Sequence, residues 1–186
     1  MRIYLAGPDV FLPDAALVAA QKKRICAEHG ATGVFPTDPV EDAAADAATE
    51  RFLEIYLRNE AHIRACDALI ANLTPFRGPS ADAGTIYELG FMRALGRPVH
   101  GYANVAQDFT CRTRAFLGPL ARQDATGRWV DEEGLHLEDF GCHDNLMIDG
   151  GIRAAGGALF ARAVPPERRW HDLEAFEACV RVLMER

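Results

Sequence analysis

Short apolar runs, each cut off by glycine or proline and each followed by an amphipathic stretch, recur along the first hundred residues and leave few folds open. Ile3-Tyr4-Leu5-Ala6 ends at Gly7-Pro8. A run too short for a helix, with β-branched and aromatic members, predicts a strand buried on both faces. A loop over 9–13 follows, and then Ala15, Leu17, Val18 and Ile25 alternate with Gln21, Lys22, Lys23 and Glu28 up to Gly30, which predicts an amphipathic helix with a glycine stop. Val34-Phe35 predicts a second strand, and 41–48, rich in Ala and Asp without an apolar stripe, a surface loop or weak helix. Phe52, Ile55, Tyr56 and Ile63 fall at helical spacing, 68–73 is another buried-strand run, 85–95 is helical up to Gly96, and 98–102 is extended. The order is βα, βα, βα, β. Parallel strands need long crossovers and helices supply them, so the pattern implies a doubly wound α/β fold with ligands at the carboxyl ends of the strands.

Further on, 128–137 reads as a hairpin excursion, and 144–153 and 170–184 as helices separated by Gly156-Gly157 and Pro165-Pro166. With no internal repeat and no linker, residues 1–186 form one domain. The chain carries 20 Lys and Arg against 27 Asp and Glu, a net charge of −7, and no basic cluster beyond Lys22-Lys23-Arg24. A phosphate-neutralising surface for nucleic acid is therefore not expected, and a small uncharged or cationic ligand suits the charge better. Five widely spaced cysteines without a C-x-x-C fit a reducing compartment. The first apolar run, Ile3 to Gly7, is too short for a signal peptide or a membrane span, so a cytoplasmic location is expected. The six histidines fall at no metal-ligand spacing, and phosphate-loop, dinucleotide and serine-hydrolase motifs are missing. Neither metal nor cofactor is implied.

The stretch from Asn72 to Gly90 follows a strand and opens a helix, where such a fold places its site. Asp82 and Glu88 lie six positions apart within it. Two carboxylates beside one cleft can divide labour between nucleophile and binding group. Thr85-Ile86-Tyr87-Glu88 is equally a T-x-x-E capping box, in which Glu88 only satisfies backbone donors.

Ile3-Tyr4-Leu5-Ala6-Gly7-Pro8, Pro36-Thr37-Asp38, Asp67-Ala68-Leu69-Ile70-Ala71, the D-x-G-T-x-x-E-L-G core at Asp82 to Gly90, and Asn145-Leu146-Met147-Ile148 resemble the nucleoside 2-deoxyribosyltransferase family. The resemblance spans about positions 3–150. It implies a flavodoxin-like fold and transfer of 2-deoxyribose between nucleobases, with Glu88 as the nucleophile of a covalent glycosyl intermediate. The alternative is hydrolysis of the N-glycosidic bond of deoxynucleosides or of 2′-deoxynucleoside 5′-monophosphates.

By the same resemblance, Tyr4 holds the Glu88 carboxylate, unless it is simply a core tyrosine. Asp82 takes the hydroxyl end of the sugar, where the nucleotide-cleaving branch of the family carries serine; a carboxylate there opposes a phosphate and favours free nucleosides. Asn59 falls where some members carry a base-protonating aspartate, which leaves the general acid unassigned. Asp38 is a candidate for touching the base, against an Asx turn before Pro39. Gly84 and Met147 join the substrate-binding set. Asn145 matches a residue that reaches a neighbouring subunit's site, implying at least a homodimer, or else it is a helix N-cap. The implied ligands are a deoxynucleoside and a free nucleobase.

Overall fold

The computed structural model describes residues 1–40 and 50–185. The expected loop or weak helix over 41–48 lies outside the described residues. Strand β1 (Arg2–Ala6) leads through a 3-10 turn (Pro8–Phe11) into α1 (Ala15–Glu28) and β2 (Thr32–Val34). Then come α2 (Arg51–Ala65), β3 (Ala68–Asn72), α3 (Ala83–Ala94), β4 (Val99–Ala103) and α4 (Phe109–Leu117). A small excursion holds β5 (Arg122–Gln123) and β6 (Trp129–Val130), and the chain closes with α5 (Leu146–Ala154), β7 (Leu159–Ala161) and α6 (Glu174–Met184).

The five long-range strands pair in parallel in the order β2-β1-β3-β4-β7. That is the flavodoxin-like doubly wound order, flanked by helices in a single domain. Because side chains alternate along a strand, each apolar run feeds two cores. Ile3, Leu5, Ala68 and Ile70 pack with α1 and α6 through Ile25, Cys26, Phe176 and Val180. Tyr4, Ala6, Leu69 and Ala71 face the other way, onto Ile63 of α2, Leu89 and Met92 of α3, and Ile148 and Ile152 of α5. The alternation places Tyr4 on the face that α3 covers. At β1 the chain order reverses, with β2 on one side and β3 on the other, and a crevice opens at the strands' carboxyl ends.

The structure changes several expectations. The hairpin over 128–137 is a three-segment excursion: Trp129 pairs antiparallel with Gln123, and Val130 bridges to His136. α4 and the edge strand β7 are additional elements. α6 starts at Glu174 rather than 170, because Asp172 is occupied as acceptor for Arg162 and Arg168 ahead of it. Gly157 lets the chain cross β4 closely, since a Cβ there would lie 1.9 Å from the Val99 carbonyl oxygen.

A buried ion pair holds the turn after β1 in place. Lys22 Nζ donates to Asp9 Oδ2 at 2.7 Å, and Asn72 Nδ2 donates to Asp9 Oδ1 at 3.1 Å. Both charged side chains are withdrawn from solvent, at 1% and 0% exposure. Gly7 makes room for them, because a Cβ there would lie 2.3 Å from Asp9 Oδ2. Removing one member of a buried pair leaves the other charge uncompensated. Lys22→Met should therefore lower the unfolding free energy by about 3–5 kcal/mol. Adding Asp9→Asn should restore at least half of the loss; urea unfolding at pH 7 measures both, and no recovery in the double variant would show that Lys22 acts by packing alone.

Candidate active site

Asp82 starts the site. Its extended backbone and short acceptor make it the N-cap of α3, with Oδ2 accepting from Thr85 N at 2.9 Å and from Thr85 Oγ1 at 3.0 Å. The capping-box reading of Thr85 to Glu88 is thereby corrected: Thr85 is the third residue of the helix, not its cap. Glu88 falls in the second turn, buried, and turned toward β1.

There Tyr4 Oη donates to Glu88 Oε1 at 2.7 Å and Asn59 Nδ2 donates to the same oxygen at 3.2 Å. Glu88 Oε2 accepts no hydrogen bond from the described residues, and Glu88 lines the cleft. Burial pushes the Glu88 carboxyl up to about 7; the bonds from Tyr4 and Asn59 pull the other way, and Asp82 adds a like charge that raises it. The Tyr4 phenol is driven well above its ordinary value, first by burial and then by Glu88, so it stays a donor across neutral pH.

A cleft of about 290 Å³ runs over this centre, walled by Gly7, Val10 and Phe11 after β1, Pro36 and Thr37 after β2, Ile55, Arg58 and Asn59 of α2, and Asp82, Gly84, Thr85 and Glu88 of α3. A side cavity of about 260 Å³ shares Asn59, Gly84 and Glu88 and adds Tyr56, Glu60, Ile63 and Tyr87. Both tyrosines donate to Glu60 Oε1, at 2.6 and 3.1 Å. Two larger hollows, about 420 Å³ beside Trp129 and about 450 Å³ beside His143, contain none of the residues at the sheet's reversal point. In the second, Asp108 and Asp149 are occupied by backbone N–H groups of Cys111, His143 and Asp144.

The structure thus brings together Tyr4, Asn59, Asp82, Gly84 and Glu88. Asp38 is turned elsewhere: Oδ1 takes Lys23 Nζ at 2.5 Å and Oδ2 takes Phe35 N at 3.0 Å, which replaces the expected Asx turn. Pro36 and Thr37, not Asp38, line the cleft. Asn145 caps α5, accepting from Met147 N at 3.0 Å and donating to Glu138. Neither Asn145 nor Met147 is among the residues lining the Glu88 cavities within one chain. Sequence reasoning missed Arg58, although Ile55, Arg58 and Asn59 stand at i, i+3 and i+4 and so share a helix face. Among the described residues no group of three His, Cys, Asp or Glu side chains converges to hold a metal, and no helix is long and apolar enough to cross a membrane.

The raised carboxyl has a measurable consequence. Folded Glu88 releases its proton near 7, against an ordinary value of 4.5, so the folded state binds the extra proton between these two pH values. Its contribution to stability is present below 4.5 and is lost as pH rises through 7. Glu88→Gln keeps the acceptor and cannot ionise. The stability of Glu88→Gln relative to wild type should grow by about 3 kcal/mol from pH 4.5 to pH 8 in urea unfolding. A difference that stays flat across that range would mean the carboxyl ionises well below neutrality.

Comparison with known proteins identifies the family and the fold. The family model described as nucleoside 2-deoxyribosyltransferase matches residues 3–147. An uncharacterized protein of Schizosaccharomyces pombe is 34% identical over 167 residues, covering 83% of this chain and 78% of that protein. The solved 2-desoxiribosyltransferase of Leishmania mexicana is 26% identical with a TM-score of 0.64, over 100% of this chain and 97% of that one. A conserved protein of Enterococcus faecalis shares the fold at 21% identity and a TM-score of 0.54, over 98% of both chains. A model match across most of the chain, on a flavodoxin-like sheet whose reversal point holds Tyr4 and Glu88, assigns the protein: it belongs to the nucleoside 2-deoxyribosyltransferase family.

Proposed function

We propose that this protein moves 2-deoxyribose from one nucleobase to another through a covalent bond between Glu88 and C1′ of the sugar. The observation that carries the reading is the asymmetry of the Glu88 carboxylate: both donors hold Oε1, and Oε2 is left for the cleft. An ionised Oε2 attacks C1′ from the face opposite the base as the centre gains oxocarbenium character. The incoming base then attacks the ester from the vacated side, and two inversions give net retention. Tyr4 remains protonated throughout and keeps the carboxylate in line. Water in place of the second base releases free deoxyribose, which makes nucleosidase activity the side reaction.

Asp82 fits the hydroxyl end of the sugar. Oδ2 is committed to Thr85, and Oδ1 accepts no bond from the described residues. The same reading brings a second copy of the chain to the start of α5, where Asn145, its Oδ1 capping the helix and one Nδ2 hydrogen on Glu138, has its second Nδ2 hydrogen for the neighbour's sugar. Phe140 and Met147, exposed by 68% and 74%, supply an apolar rim for that contact.

Incubating the protein with a deoxynucleoside, with and without a second free base, tests the reading: a new nucleoside should form only when the second base is present. The rate should rise with pH through about 7 as Glu88 ionises. Glu88→Ala should lose at least about a thousandfold in exchange with its helix content unchanged, because Asp82 rather than Glu88 caps α3. Mass spectrometry of wild type with a slow substrate should find deoxyribose on Glu88, and unimpaired exchange in Glu88→Ala would sink the mechanism.

Asp82 should set nucleoside against nucleotide. A carboxylate about 4 Å from a phosphate is repelled by about 4 kcal/mol at an effective dielectric near 20, roughly a thousandfold in kcat/KM. Asp82→Ser keeps a capping oxygen and removes the charge. The kcat/KM ratio of a deoxynucleoside to its 5′-monophosphate should fall in Asp82→Ser, and a ratio that does not move places Asp82 away from the 5′ end.

A further inference from the structure

Cleavage of the glycosidic bond leaves an electron pair and a negative charge on the departing base, and a side chain that can donate a proton is the usual remedy. Asn59, beside Glu88 in the cleft, has no such proton, and its amide already donates to Glu88. Asp82 and Glu88 are both acceptors toward the sugar in the proposed mechanism. The leaving-group end of the cleft therefore needs a different kind of help.

Arg58 is the cation on that wall. It lines the cleft one residue before Asn59 on α2, and among the described residues its guanidinium has neither an ion pair nor a hydrogen bond. Its neighbours differ: on the same helix Arg64 pairs with Glu60 at 3.5 Å, and across the chain Lys23 pairs with Asp38 at 2.5 Å. Among the described residues the buried Arg58 Nε–H finds no acceptor and the buried Asn59 Oδ1 no donor. Buried polar groups normally find partners, so two adjacent orphans on one cleft wall point to a partner brought by a ligand. Glu88 takes its hydrogen bonds from Tyr4 and Asn59, and among the described residues no ion pair joins it to Arg58, so Arg58 is not held as the counter-ion of that carboxylate.

We infer that Arg58 is a catalytic residue for the leaving base: its N–H groups bind the base's acceptor edge and carry the negative charge that develops there, in place of a protonating acid. The inference rests on the deoxyribosyl-transfer reading. In the step, Glu88 Oε2 forms the bond to C1′ while the C1′–N bond breaks, and the electron pair stays on the base nitrogen. The anion is spread over the ring nitrogens and carbonyl oxygens that Arg58 touches. No proton leaves the protein; the base takes one from water on release. The return step runs the same contacts in reverse, so an incoming base that has lost its N–H proton to water is held as the anion.

The test is a leaving-group series: thymidine, 2′-deoxyuridine and 5-fluoro-2′-deoxyuridine among pyrimidines, and 2′-deoxyguanosine with 7-methyl-2′-deoxyguanosine among purines. The methylated base departs neutral and needs no anion stabilised. Arg58→Ala should lose about a hundredfold in kcat/KM on the poorest leaving groups, the scale of one lost charge-stabilising donor. It should lose only a few-fold on 7-methyl-2′-deoxyguanosine, which also serves as the control for folding. The dependence of rate on leaving-base acidity should steepen, and Arg58→Lys should recover part of the loss. Equal losses across the series would overturn the assignment and leave Arg58 as a wall of the cleft. Wild type inert toward every member of the series would defeat the transfer reading itself, and the Arg58 assignment with it.

Discussion

A carboxylate buried where β1 parts its two neighbours is the constraint around which the rest of this molecule is arranged. Leaving water costs an ionised group several kcal/mol unless donors replace the lost hydration. Glu88 receives two donors, and they come from different elements: Tyr4 from strand β1 and Asn59 from helix α2. Tyr4 reaches it only because even-numbered residues of β1 face the α3 side. A shift of one residue in the β1 register, Tyr4 against Leu69 and Val34, would send the phenol into the α1–α6 core. Sheet register and site chemistry are thus one specification.

The loops that carry the site are held by charges of their own. Asp9 and Lys22 anchor the turn after β1, whose Gly7, Val10 and Phe11 form one wall. On the other side Arg112 donates to the carbonyls of Pro79, Gln107 and His143 and to Asp144, while Asp144 accepts from Ser80 Oγ and Ala81 N. That network fixes the segment running into Asp82. Buried pairs are often replaceable by apolar side chains without loss of stability, so their service here is position rather than energy. They hold loop backbone where no strand or helix bond can.

The central strands were legible because a parallel sheet covered on both faces needs apolar runs, and Ile3 to Ala6 and Ala68 to Asn72 are such runs. β7 was not, since Leu159, Phe160 and Ala161 lie at the sheet edge, none of them fully buried, and carry no alternation strong enough to stand out. The start of α3 misled for a local reason: Thr85 and Glu88 satisfy a capping pattern, but Asp82 is the better acceptor and lies three residues earlier. Asp38 reads in sequence as a contact to the base or as its own turn, whereas Lys23, fifteen positions away, decides where its carboxylate points. Arg58 escaped because a cation on an exposed helix reads as solvated surface; only the fold shows it has a cleft on one side and, among the described residues, no acceptor. Tyr4, Asp82 and Glu88 were readable from motif, whereas Asp38, also in a motif, is drawn off the cleft by a distant lysine, and Arg58 is defined by what it fails to pair with.

In the proposed reaction the two donors on Glu88 also reconcile opposing demands on a nucleophile. Burial alone would hold the carboxyl protonated to still higher pH, and hydrogen bonds alone would make a poorly basic carboxylate. Their balance near 7 leaves the carboxyl partly ionised at neutral pH and, being buried, little stabilised by water. Placing both bonds on Oε1 divides the roles within one group: one oxygen is held and the other is left reactive. The shorter bond, 2.7 Å from Tyr4, comes from the more rigid side chain, fixed in the core with no exposure. Asn59, at 3.2 Å, belongs to the wall that a ligand would touch. A substrate that engages α2 can therefore weaken the Asn59 bond without releasing the carboxylate from β1. Loss of that donor raises the basicity of Oε2 at the moment a sugar lies against it.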